Sequence, residues 1–244
     1  MPESSQSVHE EVKALLADKS AEQRAQLAGT VANRLNASGI SMRDRRAAEE
    51  LARQLAEDAI DLVRQELSRA VRHSKSLPRD VAMRIAHDFD SIACPFLEVT
   101  EVFSEVDWQQ LVLTVSRSAR VAIARRPDLT EDVVGTLLQV GDAVVAETLA
   151  GNTRAPLSDP ACRLIMDRFA DSPWVLESLA DRPSLPPEIA LHLIRKVSGA
   201  ARRKLAERYK LPEATDSTVA DAANQAILRL VRETRDSDRF DFAV

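Results

Sequence analysis

The chain has 244 residues, of which 45% are hydrophobic, 29% charged and only 4% aromatic. Its formal net charge of −5 at pH 7 argues against a dedicated nucleic-acid-binding domain, because such domains are usually basic. No stretch approaches the roughly 18 consecutive apolar residues of a membrane span, and residues 1–5 lack the basic and apolar regions of a signal peptide. The composition therefore predicts a helical protein of the cytoplasm that does not bind a membrane.

Helices are predicted before any clear repeat begins. A short helix over residues 8–17 precedes a second helix capped by Ser20, and together they form an N-terminal region over residues 1–40. Ser41 is expected to cap the first helix of a degenerate leading repeat over residues 41–73. Moving the later repeat positions back by 26 residues places its apolar anchors at Leu51, Ala59 and Ile60.

Five clearer repeats follow over residues 74–210. Each carries one apolar residue before its first helix and two adjacent apolar residues eight and nine positions later. The first position holds Leu77, Phe103, Leu129, Leu157 and Leu185. The adjacent pairs are Ile85 and Ala86, Leu111 and Val112, Leu137 and Leu138, Ile165 and Met166, and Leu193 and Ile194. A fixed period of 26 to 28 residues predicts stacked helix pairs that share a continuous core.

The second helix of each repeat has its own apolar register. Its aligned residues are Leu97, Ile123, Leu149, Leu179 and Leu205, and four positions earlier stand Ala93, Ala119, Val145, Val175 and Ala201. Residues four apart lie on one face of a helix, and the small ones predict close approach of neighbouring helices. Asp107 interrupts the pattern in a first helix, so a slight rotation that buries Trp108 in its place is expected.

The last part of the chain, residues 211–244, is predicted to contain a linker, a helix over about residues 217–234 and a short tail. The helix carries one apolar face, formed by Val219, Ala222, Ala223, Ala226, Ile227, Leu230 and Val231. An array of stacked pairs leaves an open end, and this helix is expected to cap it.

Two junctions between repeats carry a sequence resemblance. Ala-Arg-Arg-Pro-Asp-Leu at residues 124–129 and Ala-Asp-Arg-Pro-Ser-Leu at residues 180–185 resemble junctions of short HEAT-like and leucine-rich-variant repeats. With the N-terminal helices, the layout resembles an uncharacterised, mainly alphaproteobacterial family, domain of unknown function 2336. The resemblance implies an all-α solenoid of right-handed helical hairpins, built from short HEAT-like repeats between N-terminal helices and a capping helix. It implies no activity.

The sequence contains no recognisable catalytic or metal-binding motif. None of the four histidines has a second histidine or a cysteine at a metal-ligand spacing. Cys94 and Cys162 have no paired spacing and are interpreted as inert packing residues of a reducing compartment. We therefore expect no catalytic residue, no cofactor and no metal, and hence a protein that is not an enzyme.

Three arginines occupy equivalent positions, each three residues after the second-helix anchor: Arg126, Arg182 and Arg208. One interpretation is that each complements the negative end of a helix dipole and bonds its last carbonyl groups. The other is an arginine ladder along one edge of the array that grips carboxylates or phosphates of a partner.

Two stretches of the repeats are locally basic, around residues 117–126 and 195–210. Such a run is either a solvated helix face or a surface for an acidic partner. The candidate partner-binding surface comprises Arg120, Arg126, Arg182, Arg202, Arg203, Lys204 and Arg208.

Solenoids usually bind other molecules along an extended curved face. The sequence therefore predicts a non-catalytic scaffold or adaptor that binds a protein or peptide, whose identity and oligomeric state are open. The alternative is a nucleic-acid-binding module, such as a HEAT-like DNA-repair glycosylase. Two tryptophans, a single tyrosine and an acidic pI of about 5.5 count against that alternative.

Overall fold

The computed structural model describes residues 3–210, and these residues form fourteen α-helices and no β-strand. The helices are α1 (Glu3–Ala17), α2 (Ala21–Asn36), α3 (Met42–Ala56), α4 (Asp61–Val71), α5 (Arg79–Ala86), α6 (Asp90–Leu97), α7 (Glu105–Thr114), α8 (Arg117–Ala124), α9 (Glu131–Val140), α10 (Ala143–Gly151), α11 (Asp159–Arg168), α12 (Pro173–Ala180), α13 (Pro187–Ile194) and α14 (Gly199–Tyr209). The predicted capping helix over residues 217–234 lies outside the described residues.

Side-chain caps fix where many of these helices begin. Ser20 accepts a hydrogen bond from the Gln23 amide, while the Gln23 side chain accepts one from the Ser20 amide. Ser41 caps α3, as predicted: its side chain accepts a hydrogen bond from the Asp44 amide. Such caps satisfy amides that have no partner inside the helix, so both predicted helix starts are confirmed.

The described helices fall into two compact units, α1 to α9 and α10 to α14. In the first unit the even-numbered helices α2, α4, α6 and α8 pack side by side in sequence. Among the odd-numbered helices, α1 packs on α3, α3 on α5, and α7 on α9. Most helices of this unit thus pack against the next but one, and the N-terminal helices α1 and α2 join the same two layers as the helices that follow.

The second unit repeats this arrangement within itself. Helix α12 lies between α10 and α14 in one layer, and α11 packs against α13 in the other. The boundary between the units falls between α9 and α10, inside the array predicted over residues 41–210.

The core includes the apolar residues that the sequence period identifies. All ten paired apolar positions in the first helices α5, α7, α9, α11 and α13 are buried, as are all ten aligned positions in the second helices. Leu77, Phe103 and Leu185, which precede first helices, are buried too. Leu129 and Leu157, at the same position before their helices, are half-buried. The predicted apolar positions within the helices α5 to α14 are therefore confirmed as core positions.

The register of the leading repeat was predicted wrongly. Ala59 and Ile60 lie exposed in the turn between α3 and α4, whereas Leu55 and Ala56 are buried at the end of α3. From α3 to α5, the interval between Leu55 and Ile85 is therefore longer than 26 residues. From α4 to α6, in the other layer, Val71 and Leu97 are separated by 26 residues. The cause is α4, which has 11 residues where α6 has 8, so the helix before it must end earlier.

The expected rotation of α7 does not occur. Asp107 is buried at the position where other repeats have an apolar residue, and Leu111 and Val112 keep their register. The carboxylate accepts hydrogen bonds from the Ser104 amide and hydroxyl and from Nε of Arg79, 2.8 Å away. A buried carboxylate with this many donors needs no rotation to escape burial.

None of the helices within residues 3–210 is both long enough and apolar enough to cross a membrane.

Candidate functional site

Arg126 is a buried residue whose guanidinium forms hydrogen bonds within the first unit. Its side chain is only 4% exposed. Nη1 donates to the carbonyl oxygen of Leu97, 2.7 Å away, at the last residue of α6, and Nη2 donates to Asp128 at 2.6 Å. The guanidinium carbon also lies 4.4 Å from the centre of the Trp108 ring. Arg126 therefore joins one helix pair to the one before it.

Arg182 makes the equivalent contact in the second unit, with more acceptors. Nη1 donates to the carbonyl oxygens of Leu149, Ala150 and Asn152 at 3.3, 3.2 and 2.7 Å, and Nη2 donates to that of Ala155 at 2.8 Å. These acceptors surround the C-terminal end of α10. Burial lowers the pKa of the Arg182 guanidinium, and the carbonyl dipoles of the helix end stabilise its charge.

Arg208 completes the series at the next helix end. Its Nη1 donates to the carbonyl oxygens of Ala180, 3.2 Å away, and of Arg182. Arg126, Arg182 and Arg208 thus each bond carbonyl groups at the end of the preceding second helix, which combines a capping role with a link between neighbouring pairs. Arg126 and Arg182 are too buried to form part of a surface ladder.

Arg120 and Arg202 form a second equivalent pair, each three residues before a second-helix anchor. Nε of Arg120 donates to the carbonyl oxygen of Val112 at 2.7 Å, and Nε of Arg202 donates to that of Ile194 at 3.1 Å. Each arginine therefore caps the first helix of its own pair. Both side chains are half-buried.

The remaining candidate cations, Arg203 and Lys204, are exposed on α14. Nζ of Lys204 lies 2.7 Å from Oδ1 of Asp181, the residue that follows α12. In the other basic stretch, Nη1 of Arg125 lies 3.1 Å from Oε1 of Glu98, the residue that follows α6. Both acids belong to the preceding helix pair, so the local sequence around the cations does not reveal them. The structure therefore does not gather the seven candidate residues into one free basic surface.

An open groove of about 600 Å³ lies elsewhere, in the first unit. It runs between the turn that joins α3 to α4 and the hairpin of α5 and α6. Its lining residues are Asp58, Arg64, Asp80, Met83, Arg84, His87, Asp88 and Phe89. The Phe89 residue is 62% exposed, which is unusual for an aromatic side chain.

Ion pairs hold the charged wall of this groove in place. Arg64 donates to both carboxylate oxygens of Asp88, with Nε at 2.6 Å and Nη2 at 3.0 Å. Arg24 binds Asp58 with the same geometry and the same two distances. Burial opposes the ionisation of Asp58, yet hydrogen bonds from Arg24 and the Ile60 amide hold its pKa below the ordinary value. A bidentate arginine–carboxylate pair fixes both side chains, so the groove is pre-organised.

Phe89 is the residue of this groove that the sequence predictions missed. It lies at the N-cap position of α6, where α8, α10, α12 and α14 have Ser116, Asp142, Ser172 and Ser198. The Arg64 guanidinium carbon lies 5.7 Å from the centre of its ring. A large apolar residue at a position that favours short polar ones is the signal that could have identified it.

The structure gives little support for nucleophilic chemistry at the cysteines. Burial raises the pKa of the Cys162 thiol to about 11 and also raises that of Cys94. Thiols with raised pKa values stay protonated at neutral pH and are poor nucleophiles. Among residues 3–210, no group of three or more histidine, cysteine, aspartate or glutamate side chains is arranged to hold a metal ion.

Comparison with known families identifies a match over the later part of the chain. The family described as an uncharacterised protein conserved in bacteria (DUF2336) matches residues 92–243, which is more than half of the chain. The matched region begins within α6 and includes every arginine of the candidate surface. No curated protein and no solved structure matches the chain.

Proposed function

Because the chain belongs to the DUF2336 family of bacterial proteins, we propose that it is a non-catalytic scaffold of the bacterial cytoplasm that binds a protein or peptide. Its helix pairs are HEAT-like repeats of an α-solenoid. Two features support this architecture: most helices pack against the next but one within each unit, and the equivalent residues Arg126, Arg182 and Arg208 each contact the end of the preceding second helix.

The exposed Phe89 at the mouth of the groove is the observation that carries the binding function. Aromatic side chains contribute strongly to protein interfaces when a partner covers them. The ion pairs around Phe89 hold the neighbouring cations and carboxylates, so the ring is an apolar contact within a rigid polar rim. That combination of an apolar centre and a polar rim is typical of protein interfaces.

The arrangement of titratable groups supports a binding function over a catalytic one. The carboxylates Asp58 and Asp88 accept bidentate hydrogen bonds from arginines. In His87, Nδ1 lies 2.8 Å from the carbonyl oxygen of Met83 and Nε2 lies 2.9 Å from Oγ1 of Thr114. Groups held this way give the groove a fixed polar wall, which suits a binding surface.

Affinity capture from native bacterial cytoplasm tests this proposal. The wild-type protein, Phe89→Ala and Leu62→Ala are immobilised in parallel, with and without nuclease. Leu62 is an exposed apolar residue of α4 and serves as the matched control. We expect the wild type and Leu62→Ala to capture the same defined set of proteins, and Phe89→Ala not to capture it. Treatment with nuclease should not change the set. Identical sets on wild type and Phe89→Ala, or a set lost with nuclease, would contradict the proposal.

Nucleic-acid binding is the second candidate, and one observation favours it. Trp174 is 50% exposed on α12, which packs against the basic helix α14. A base can stack on an exposed tryptophan while neighbouring cations contact the phosphates. The internal use of Arg202 and Arg208 and the pairing of Lys204 with Asp181 weaken this candidate.

A further inference from the structure

The groove at Phe89 is lined along one side by a single face of α5. Asp80, Met83, Arg84 and His87 are spaced by three, one and three residues, so they lie on the same side of the helix, and all four line the groove. Met83 is half-buried, and its flexible thioether side chain adapts to apolar groups of different shapes. The groove therefore combines an apolar part, formed by Met83 and Phe89, with charged groups beside it.

The carboxylates that line this groove are already hydrogen-bonded to arginines. Asp58 and Asp88 each accept two hydrogen bonds from one arginine. Oδ2 of Asp80 accepts a hydrogen bond from Nε of Arg53 at 2.6 Å. The charge of each acid is therefore compensated within the first unit, and a cation of a partner would have to displace an arginine to reach it.

Arg84 differs from the arginines that hold these acids. Its side chain is 56% exposed, and within residues 3–210 its one charged contact is Glu57, with Nη1 3.9 Å from Oε1. That separation is too long for a hydrogen bond, and an exposed pair of this kind contributes little to stability. A second pocket of about 110 Å³ adjoins the groove, and Asp80 and Arg84 line both. The guanidinium thus lies between two open spaces with its N–H donors available.

We propose that the groove binds a segment of a partner protein that presents an apolar side chain to Phe89 and Met83 and a carboxylate to Arg84. This inference rests on the proposed function and specifies the chemistry of the partner. A planar guanidinium can donate two parallel hydrogen bonds to a carboxylate, which is the geometry of the pairs already present in the groove wall. Glu57, in its long contact with Arg84, moves aside when the partner's carboxylate binds.

The net charge of −5 is compatible with a partner that presents one carboxylate. At physiological ionic strength, exposed charges separated by more than about 8 Å are largely screened, so a carboxylate in the groove responds mainly to the groups that it contacts. Arginine and aromatic residues are also among those that contribute most to the affinity of protein interfaces. Phe89 therefore supplies apolar contact area, and Arg84 selects the charge of the partner.

Selection from a library of short random peptides displayed on phage tests this inference. The wild type, Arg84→Glu, Phe89→Ala and Arg69→Glu are immobilised separately at physiological salt. Arg69 is an exposed arginine of α4 outside the groove lining, so Arg69→Glu is the matched control for the change in net charge. The wild type and Arg69→Glu should select peptides that combine a large apolar residue with aspartate or glutamate. Arg84→Glu should select lysine or arginine in place of the acid, and Phe89→Ala should select no common motif.

Fluorescence anisotropy with one selected peptide measures how much each group contributes. Arg84→Glu should raise the Kd at least about tenfold, and Arg69→Glu should change it less than about twofold. Glu57→Gln should lower the Kd, because it removes the acid that competes for Arg84; a purely structural role of Arg84 would not produce this change. Converting the acid of the peptide to its amide should weaken binding to the wild type but not to Arg84→Gln. Unchanged far-ultraviolet circular dichroism shows that each variant is folded.

The outcomes separate this inference from the proposed function. Peptides that bind through Phe89 but carry no acid, or carry a basic residue in its place, would overturn the inference and leave the proposed function intact. The inference also fails if Arg84→Glu selects the same peptides as the wild type, or if Glu57→Gln does not tighten binding. A wild type that selects no peptide dependent on Phe89 would contradict both.

Discussion

Arg182 illustrates how a single buried cation can be stabilised without a carboxylate in direct contact. Its hydrogen-bond acceptors are four backbone carbonyl groups at and just beyond the end of α10. The C-terminal end of a helix carries a partial negative charge, and its last carbonyl groups have no partner inside the helix. The planar fork of arginine reaches several such carbonyls at once, which the single ammonium group of lysine does not.

Replacing Arg182 should therefore destabilise the protein strongly. Arg182→Met leaves the carbonyls of Leu149, Ala150, Asn152 and Ala155 without their donor. We expect the free energy of unfolding, measured by urea denaturation, to fall by about 3 kcal/mol, with a smaller loss for Arg182→Lys. Arg203→Met, at an exposed position of α14, is the control and should change it by less than about 0.5 kcal/mol. Equal losses for Arg182→Met and Arg203→Met would show that the carbonyl contacts do not stabilise the fold.

Part of this arginine arrangement could be predicted from the sequence. The period identified Arg126, Arg182 and Arg208 as equivalent, and capping of helix ends was one of the two interpretations. The sequence could not show that each arginine reaches the preceding second helix, because that contact depends on how consecutive pairs stack. The partners of Lys204 and Arg125 were missed for the same reason: Asp181 and Glu98 lie more than twenty residues earlier in the chain.

At the scale of helices, the start of α7 shows how one polar residue can occupy a core position. Ser104 and Asp107 form a capping box, in which each side chain accepts a hydrogen bond from the other's amide. The hydrogen bond from Arg79 holds the pKa of Asp107 at about 2, below the ordinary value of 3.8, although burial opposes ionisation. The carboxylate therefore fixes the start of α7 and links it to Arg79 at the start of α5.

Asp107→Asn should destabilise the protein in a pH-dependent manner. Near pH 7 we expect a loss of about 1–3 kcal/mol, because the amide accepts fewer hydrogen bonds and carries no charge for Arg79. A carboxylate whose pKa is lowered by folding contributes stability above its unfolded pKa and loses it as pH falls through the folded value. The difference between wild type and variant, measured by urea denaturation, should therefore shrink as the pH falls from 4 towards 2. A difference that stays constant over this range would contradict the role of the ionised carboxylate.

The fold was predictable wherever one period governs the helices. From α5 to α14 the two adjacent apolar residues of each first helix always lie eight and nine positions after the preceding anchor, so positions such as Leu137 and Leu138 could be identified as core residues before the structure was known. The period failed at the leading pair, because the length of α4 shifts the preceding turn towards the N-terminus. The groove at Phe89 was not predicted either, since it depends on how one hairpin lies against the turn before it.

For the whole molecule, charge is the property that separates the two candidate functions. The protein carries a net charge of −5, and several of its exposed cations are paired with acids of a neighbouring helix pair. A field of this sign disfavours the approach of a polyanion, even where a helix such as α14 is locally basic. The exposed aromatic residue of the groove, Phe89, is not subject to this repulsion.

We therefore predict that the protein binds duplex DNA only weakly. The dissociation constant at physiological salt should be no tighter than the nonspecific range of roughly 10⁻⁴–10⁻⁶ M. Fluorescence anisotropy with a labelled duplex, titrated with salt, measures both the affinity and the number of phosphate contacts, since each neutralised phosphate releases about 0.9 counterions.

Variants of α14 show where any such binding occurs. Arg203→Glu and Lys204→Glu reverse exposed charges, while Arg202 is left in place because its guanidinium caps α13. Weak binding that these changes abolish would identify the α14 cations as a nonspecific contact. Nanomolar binding at physiological salt that depends on sequence or on a lesion would overturn the scaffold function. Such affinity would require the exposed Trp174 and the cations of α14 to overcome the net negative charge of the chain.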